Sequence, residues 1–322
     1  MDIKKLILHY LSVYDGRAKP TKKRVEEDII FSVPKKEQNR YFNSIFYCFD
    51  ELEKEKKIRL IPYSEMNSRQ KSTYDSDLDA IYELLPQTKV ILFDLDGTLL
   101  PMDQEKFVKA YFTGIATRLA EYGYEPNQLI ETIWAGIRAM KKNNGEKCNE
   151  AVFWDTASAL RGEKILADKP YFDKFYREDF DKVQPSCGYT PKAAELMKTV
   201  KSLGYRVALA TNPVFPAIAT QKRIRWAGLS PEDFELYTTY ENSHYCKPNP
   251  KYYLEIIQKL GVDPEECLMV GNDVGEDMPA ETLGMKVFLL TDCLINTQQK
   301  DISAYPHGGF DELLDYVRRL KN

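Results

Sequence analysis

The chain has 322 residues, 43% hydrophobic and 29% charged, with a net charge of −4. Such a composition is that of an ordinary globular protein of about two domains, and the total charge gives no general attraction to nucleic acid or to an anionic membrane. No apolar run approaches the roughly 20 residues that a membrane-spanning helix needs, so no membrane partner is expected.

The charge is uneven. Residues 1–71 hold 16 Lys+Arg against 11 Asp+Glu, and the remainder holds 29 against 38. The segment Met1 to Gly16 has neither a long apolar core nor a small-residue cleavage site, so no secretory leader is expected. Six cysteines, Cys48, Cys148, Cys187, Cys246, Cys267 and Cys293, form no Cys-x-x-Cys pair. Scattered thiols of this kind suit a reducing compartment, and the expected location is cytoplasmic. Nothing in the sequence signals an oligomeric state.

In chain order, Ile3, Leu6, Ile7, Tyr10, Leu11 and Tyr14 fall at helical spacing. Thr21 is placed to cap a second helix running to Ile30. A third, from Lys36 to about Lys57, carries Tyr41, Phe42, Ile45, Phe46, Phe49 and Leu52, and Ile58 to Ile61 reads as a strand. Three helices and a strand with a basic balance leave open a winged-helix-like module that binds nucleic acid. A small helical domain with ordinary solvated charge is favoured over it, because Glu51, Glu53 and Glu55 on the third helix would repel phosphate. Residues 62–77 read as a linker, and Leu78 to Leu85 as a short helix. The first domain is therefore expected to span residues 1–86.

Lys89 to Leu100 reads KVILFDLDGTLL. Val90 to Phe93 is a short apolar run suited to a buried parallel strand. Asp94 and Asp96 follow at alternate positions, so their side chains point the same way at the strand end, and Gly97 lets the chain turn. The plain alternative is two acids capping a loop or holding calcium. An EF-hand also begins Asp-x-Asp, but here Gly97 comes too early and the later ligands are missing.

Residues 104–185 are helical throughout by pattern, with a gap at Lys141 to Asn149. Beyond them, strands and helices alternate to the end of the chain, which implies a parallel sheet covered by helices on both faces. Three of these strands end in chemistry-bearing residues. Arg206 to Thr211 ends in Thr211-Asn212, where a hydroxyl can donate to an oxyanion. Lys247, in HYCKPNP, is a fixed cation able to neutralise a phosphate. Last, LMVGNDVGEDMPA sets Asp273 and Asp277 four apart, with Glu276 a third candidate. Paired acids on such a loop bind a hard cation such as Mg²⁺ through oxygen.

Together, DLDGT after a strand, Thr211, Lys247 in CKPNP and the Asp273–Asp277 pair resemble the four motifs of the haloacid dehalogenase-like (HAD) hydrolases. The resemblance covers about Gln87 to the C-terminus. It implies an α/β, Rossmann-like parallel-sheet core at residues 87–103 and 186–322, with residues 104–185 inserted as a helical cap. It implies a Mg²⁺-dependent phosphatase acting on a small phosphorylated metabolite. Asp94 would be the nucleophile that forms an aspartyl-phosphate. Asp96 would be the acid that protonates the leaving alcohol. Thr211, Asn212 and Lys247 would hold phosphoryl oxygens, and Asp94, Asp96, Asp273 and Asp277 would form the metal site. The second acid, Asp96, separates this pattern from the dehalogenases. The family pattern has Gly directly before the first metal acid, where here Asn272 intervenes. Two alternatives stay open: a phosphomutase of the same fold, and a ligand-sensing regulator whose N-terminal domain binds nucleic acid. In the cap, the polar loop from Lys141 to Cys148 has a plain reading as a solvated connection. Its functional reading is that Asn143 and Asn144 touch the substrate.

Overall fold

The computed structural model describes residues 2–13, 21–33, 35, 38–55, 57–62, 65–66, 80–84 and 87–321. These divide into two units, Met1–Gln87 and Thr88–Asn322. Most of the expected linker, and the ends expected for the first helix and for the helix at Leu78 to Leu85, lie outside the described residues.

In the first unit, α1 (Ile3–Ser12), α2 (Lys22–Phe31) and α3 (Gln38–Lys54) precede β1 (Ile58–Ile61) and β2 (Ile81–Leu84). Asp2 caps α1 by accepting from the Lys5 amide at 3.1 Å, and Thr21 caps α2 through the Arg24 amide at 3.3 Å. The helices bury Ile7, Val25, Ile29, Ile45, Phe49 and Leu52 against one another. One expectation is corrected. Residues 81–84, read as part of a helix, form a strand antiparallel to β1, with Ile58 opposite Leu84 and Ile61 opposite Ile81. A four-residue strand cannot satisfy its backbone alone, and this pairing outweighs the helical propensity of the Leu, Ala and Glu in that stretch. Tyr82 then stacks on Phe49 with ring centroids 4.5 Å apart.

The second unit is built on a six-stranded sheet. Its strands are β3 (Val90–Phe93), β4 (Arg206–Leu209), β5 (Leu236–Tyr237), β6 (Cys267–Gly271), β7 (Lys286–Leu290) and β8 (His307–Gly308). They lie in the order β5-β4-β3-β6-β7-β8, all parallel. All four residues of β3 are fully buried, as expected of a strand covered on both faces. Ile91 and Phe93 enter one apolar core, Val90 and Leu92 the other. β3 lies between β4 and β6, where the strand order reverses, so the crevice beyond its carboxyl end is the natural ligand site.

Between β3 and β4 the chain is helical, as expected. It runs through α4 (Gln104–Ala120), α5 (Pro126–Lys141), α6 (Asn149–Arg161), the short α7 (Lys164–Ala167) and α8 (Lys169–Glu178). A 3-10 turn at Phe180–Ser186 returns it to the sheet, where α9 (Lys192–Ser202) leads into β4. Asp103 caps α4, and Pro126 opens α5 in its first turn. Helices α10 (Ala217–Trp226), α11 (Pro250–Leu260) and α12 (Phe310–Lys321) complete the layers over the sheet. Among the described residues, no helix is long and apolar enough to cross a membrane.

Candidate active site

Asp94 leaves the end of β3 as a 7% exposed carboxylate, with its amide held by the Val270 carbonyl at 2.9 Å. Both of its oxygens are engaged. Lys247 Nζ donates to Oδ1 at 2.8 Å, and Thr98 Oγ1 lies 3.2 Å from Oδ2, its single proton shared between that oxygen and Asn272 Oδ1. The same Lys247 donates to Asp277 Oδ1 at 2.6 Å. Lys247 is itself 2% exposed. Burial alone would weaken its hold on its proton, but the carboxylates of Asp277 and Asp94 more than offset this and hold it well above an ordinary lysine. Burial pushes the Asp277 carboxyl up, to about 7, with the Lys247 ammonium pulling against it. The strand ends thus bring together a buried cation and two acids drawn from three distant parts of the sequence.

Two close approaches hold this floor in shape. Gly97 has φ of 87°, and a Cβ there would lie 2.3 Å from Asn272 Nδ2. A Cβ on Gly271 would lie 2.1 Å from Asp277 Oδ2. Asn272, the residue that departs from the family spacing, is 1% exposed. It accepts from Thr98 Oγ1 at 2.9 Å and donates to the Cys293 carbonyl at 2.7 Å, so it ties the turn after β3 to the end of β6.

Asp96 stands beside Asp94 with 19% of its side chain exposed. One oxygen is ion-paired to Arg223 on α10, and the other, Oδ1, is buried without a partner. Burial raises its carboxyl above the ordinary aspartate range. Arg223 pulls it down and the Asp94 charge pushes it further up. Arg223 is 1% exposed, and its guanidinium lies 4.4 Å from the Phe215 ring centroid. The motifs did not include Arg223. A signal was present, because Thr220, Arg223 and Ile224, with Ala227 just past the helix end, fall at helical spacing on the buried side of α10.

Asp273 accepts from the Gly275 and Glu276 amides at 2.7 and 3.1 Å, both through Oδ1. Burial raises its carboxyl, and those amides oppose the rise. Asp277 has both oxygens committed, Oδ1 to Lys247 and Oδ2 to the Asp273 amide at 2.9 Å. Glu276 accepts from Asn212 Nδ2 at 2.8 Å and from Lys141 Nζ at 3.0 Å.

A cavity of about 320 Å³ covers these groups. Asp94, Asp96, Thr211, Asn212, Lys247, Asp273 and Asp277 all line it. Asn143 and Asn144 do not. Asn143 donates to the Lys147 carbonyl at 2.8 Å and to Asn149 Oδ1 at 2.9 Å, and it accepts from the Gly145 amide at 3.0 Å. Asn144 accepts from the Glu146 amide at 3.1 Å. The Asn143 amide and Asn144 Oδ1 are used in folding the loop, and Lys141, at the loop's start, is the residue that reaches the cavity.

Among the described residues, no three carboxylate, imidazole or thiol groups cluster closely enough to form a complete metal cage. The donors that line the cavity suit a different kind of site. They are hard oxygens, and the carboxylates of Asp94, Asp96, Asp273, Glu276 and Asp277 outnumber the cations Lys141, Lys247 and Arg223. Mg²⁺ commonly binds through one or two carboxylates, with waters and substrate phosphate completing its shell. Asp94 and Asp273 fit that pattern.

A family model described as haloacid dehalogenase-like hydrolase matches residues 88–280, more than half of the chain. The phosphoglycolate phosphatase of Aquifex aeolicus is 27% identical over 210 residues, 62% of this chain and 84% of its own length. The glyceraldehyde 3-phosphate phosphatase of Methanothermobacter thermautotrophicus is 23% identical over 235 residues, 72% of this chain and 98% of its own. Of solved structures, a HAD phosphatase from Thermococcus onnurineus aligns with a TM-score of 0.46 and 19% identity, covering 71% of this chain and 98% of that one. The strand-end acids, the bridging lysine and the extent of the family match lead to one assignment: the chain belongs to the haloacid dehalogenase-like hydrolases.

Proposed function

We propose that this enzyme is a Mg²⁺-dependent phosphatase that hydrolyses a small phosphomonoester through a phosphorylated Asp94. The observation that carries the reading is the pairing of two unlike acids. Asp94 has both oxygens engaged, one by Lys247 and the other by Thr98, while burial raises the carboxyl of its neighbour Asp96 above the ordinary aspartate range. Acids whose environments differ in this way divide the roles of nucleophile and proton donor.

Asp94 attacks phosphorus, and Asp96 gives its proton to the departing alkoxide. Arg223 fixes the orientation of Asp96 and stabilises the carboxylate left behind. Asp96 then takes a proton from the water that cleaves the aspartyl-phosphate. Lys247 steadies charge on Asp94 and on the phosphoryl oxygens, and the Thr211 hydroxyl offers them a further donor. Asp94, the Asp96 carbonyl and Asp273 would hold Mg²⁺, with Asp277 positioning the Asp273 loop. The cation, when bound, supplies Lewis-acid neutralisation between an anionic nucleophile and an anionic substrate. The helical insertion, residues 104–185, acts as the cap that excludes water.

The test is phosphate release from p-nitrophenyl phosphate and from a panel of phosphorylated metabolites. Wild type is expected to turn over with Mg²⁺ and to stop in EDTA. Asp94→Asn is expected to lose about 10³-fold or more in kcat, the scale of removing a covalent nucleophile. Activity of Asp94→Asn near wild type, or full activity in chelator, contradicts the reading.

A further inference from the structure

Above the strand ends, the cavity changes character. Its far wall is made of Phe107, Tyr111 and Phe112 from α4, Trp134 from α5, and Phe215 from the loop before α10. The rings touch in sequence. Phe112 and Trp134 centroids are 5.2 Å apart, Tyr111 and Phe112 5.1 Å, and Tyr111 and Phe215 5.2 Å. Two polar tips lie among them: the Tyr111 hydroxyl, already bonded to the Tyr176 hydroxyl at 2.8 Å, and the indole N–H of the partly exposed Trp134. Phe215 covers Arg223, which is turned to Asp96. Lys141 is paired with Glu276. A second apolar space of about 30 Å³ continues behind the wall and shares Tyr111, Ile137, Val214 and Phe215 with it.

A leaving group against this wall meets mainly ring faces; apart from the floor groups, the Gln104 side chain at the start of α4 and the Trp134 N–H are the polar groups beside it. Most hydroxyls of a polyol would leave water for ring faces that do not replace their hydrogen bonds. A flat apolar group would instead shed water against four or five rings, in the offset and edge-on arrangements that aromatic pairs favour. Resting on the phosphatase reading above, we propose that the preferred substrates are phosphomonoesters of an apolar, ring-bearing alcohol rather than of a sugar or small hydroxy acid. Trp134 is the residue to probe. It is 39% exposed, so its truncation leaves the buried core intact, and its ring closes the outer side of the wall.

The experiment compares benzyl phosphate with glycerol 1-phosphate at saturating Mg²⁺. Both are esters of primary alcohols, so the demand on Asp96 is similar and the comparison reads the wall. Benzyl phosphate is expected to have a kcat/KM at least tenfold higher, and Trp134→Ala is expected to shrink that ratio severalfold. Equal or higher efficiency on glycerol 1-phosphate overturns the proposal, as does an unchanged ratio in Trp134→Ala. If neither ester nor p-nitrophenyl phosphate is hydrolysed by wild type, the phosphatase reading fails, and the ring preference falls with it. Turnover of p-nitrophenyl phosphate and glycerol 1-phosphate without benzyl phosphate sinks the ring preference alone.

Discussion

On the floor of the cavity, Asp94, Thr211 and Asp273 each follow a neighbouring strand of one parallel sheet, so the sheet's spacing sets their separation. On its far wall, Phe107, Phe112 and Trp134 come from two helices of the insertion, and only the packing of α4 on α5 brings them together. The floor is charged, buried and internally bonded, and the wall is apolar and partly open to water. The difference teaches where reaction and selectivity reside. Under the proposed function, groups fixed by the sheet would act on the phosphoryl group that all substrates share, and the rings of the insertion would meet what varies between substrates. Floor substitutions should therefore lower activity on every ester alike, and wall substitutions should change ratios.

The largest effect that tests this contrast is expected from Lys247→Met. It leaves the Asp94 and Asp277 carboxylates buried and facing one another without their shared cation. Activity should fall about 10²- to 10³-fold on all substrates. Stability should fall as well, by about 3–5 kcal/mol, the scale of breaking a buried ion pair by removing one partner. Thermal melts and kinetics on two esters check both parts, and a loss confined to one ester would break the distinction between floor and wall.

Asp96→Asn sharpens it. Burial keeps the Asp96 acid form present to higher pH than in a solvated aspartate. In wild type, kcat/KM for an alkyl ester should hold below that raised value and fall as pH climbs through it. The substitution should remove this alkaline limb and cost about 10²-fold on alkyl esters. The cost should be smaller on p-nitrophenyl phosphate, whose leaving group needs no proton. A pH–rate profile for both esters reads this directly, and an unaltered limb would assign the proton donor elsewhere.

Smaller effects belong to the insertion. Lys141→Ala cuts a partly exposed pair with Glu276. Such pairs contribute roughly 0–1 kcal/mol, so a change in kcat/KM of less than about fivefold is expected. Asn143→Ala should leave kcat/KM within about twofold and lower stability by about 1–3 kcal/mol, through lost hydrogen bonds within its loop. A loss in kcat/KM that depends on the ester would restore Asn143 to the substrate.

The sheet core and its floor were legible because strand ends convert short sequence motifs into fixed geometry. DLDGT, CKPNP and the Asp273–Asp277 loop each need only their own neighbours to be recognised. Arg223 was not read, because its spacing with Thr220 and Ile224 marks an inward-facing position but does not name Asp96 as its partner. The aromatic wall was not read either, since Phe112 and Trp134 show the same spacing as any core residue. Asn143 and Asn144 were read as touching the substrate, but the loop's own turns engage the Asn143 amide and Asn144 Oδ1, and neither residue lines the cavity. In the first unit, Ile81 to Leu84 lacked period-2 alternation, so the strand became visible only with its partner β1.

The most direct test of the central claim is chemical trapping of the acyl phosphate. Wild-type enzyme turning over a phosphomonoester with Mg²⁺ is quenched and reduced with borohydride, and its peptides are mapped by mass spectrometry. Phosphorylated Asp94 should appear as homoserine at that position alone, and the signal should vanish in Asp94→Asn. Efficient phosphate release with an unmodified Asp94, or with homoserine at another carboxylate, would contradict the account.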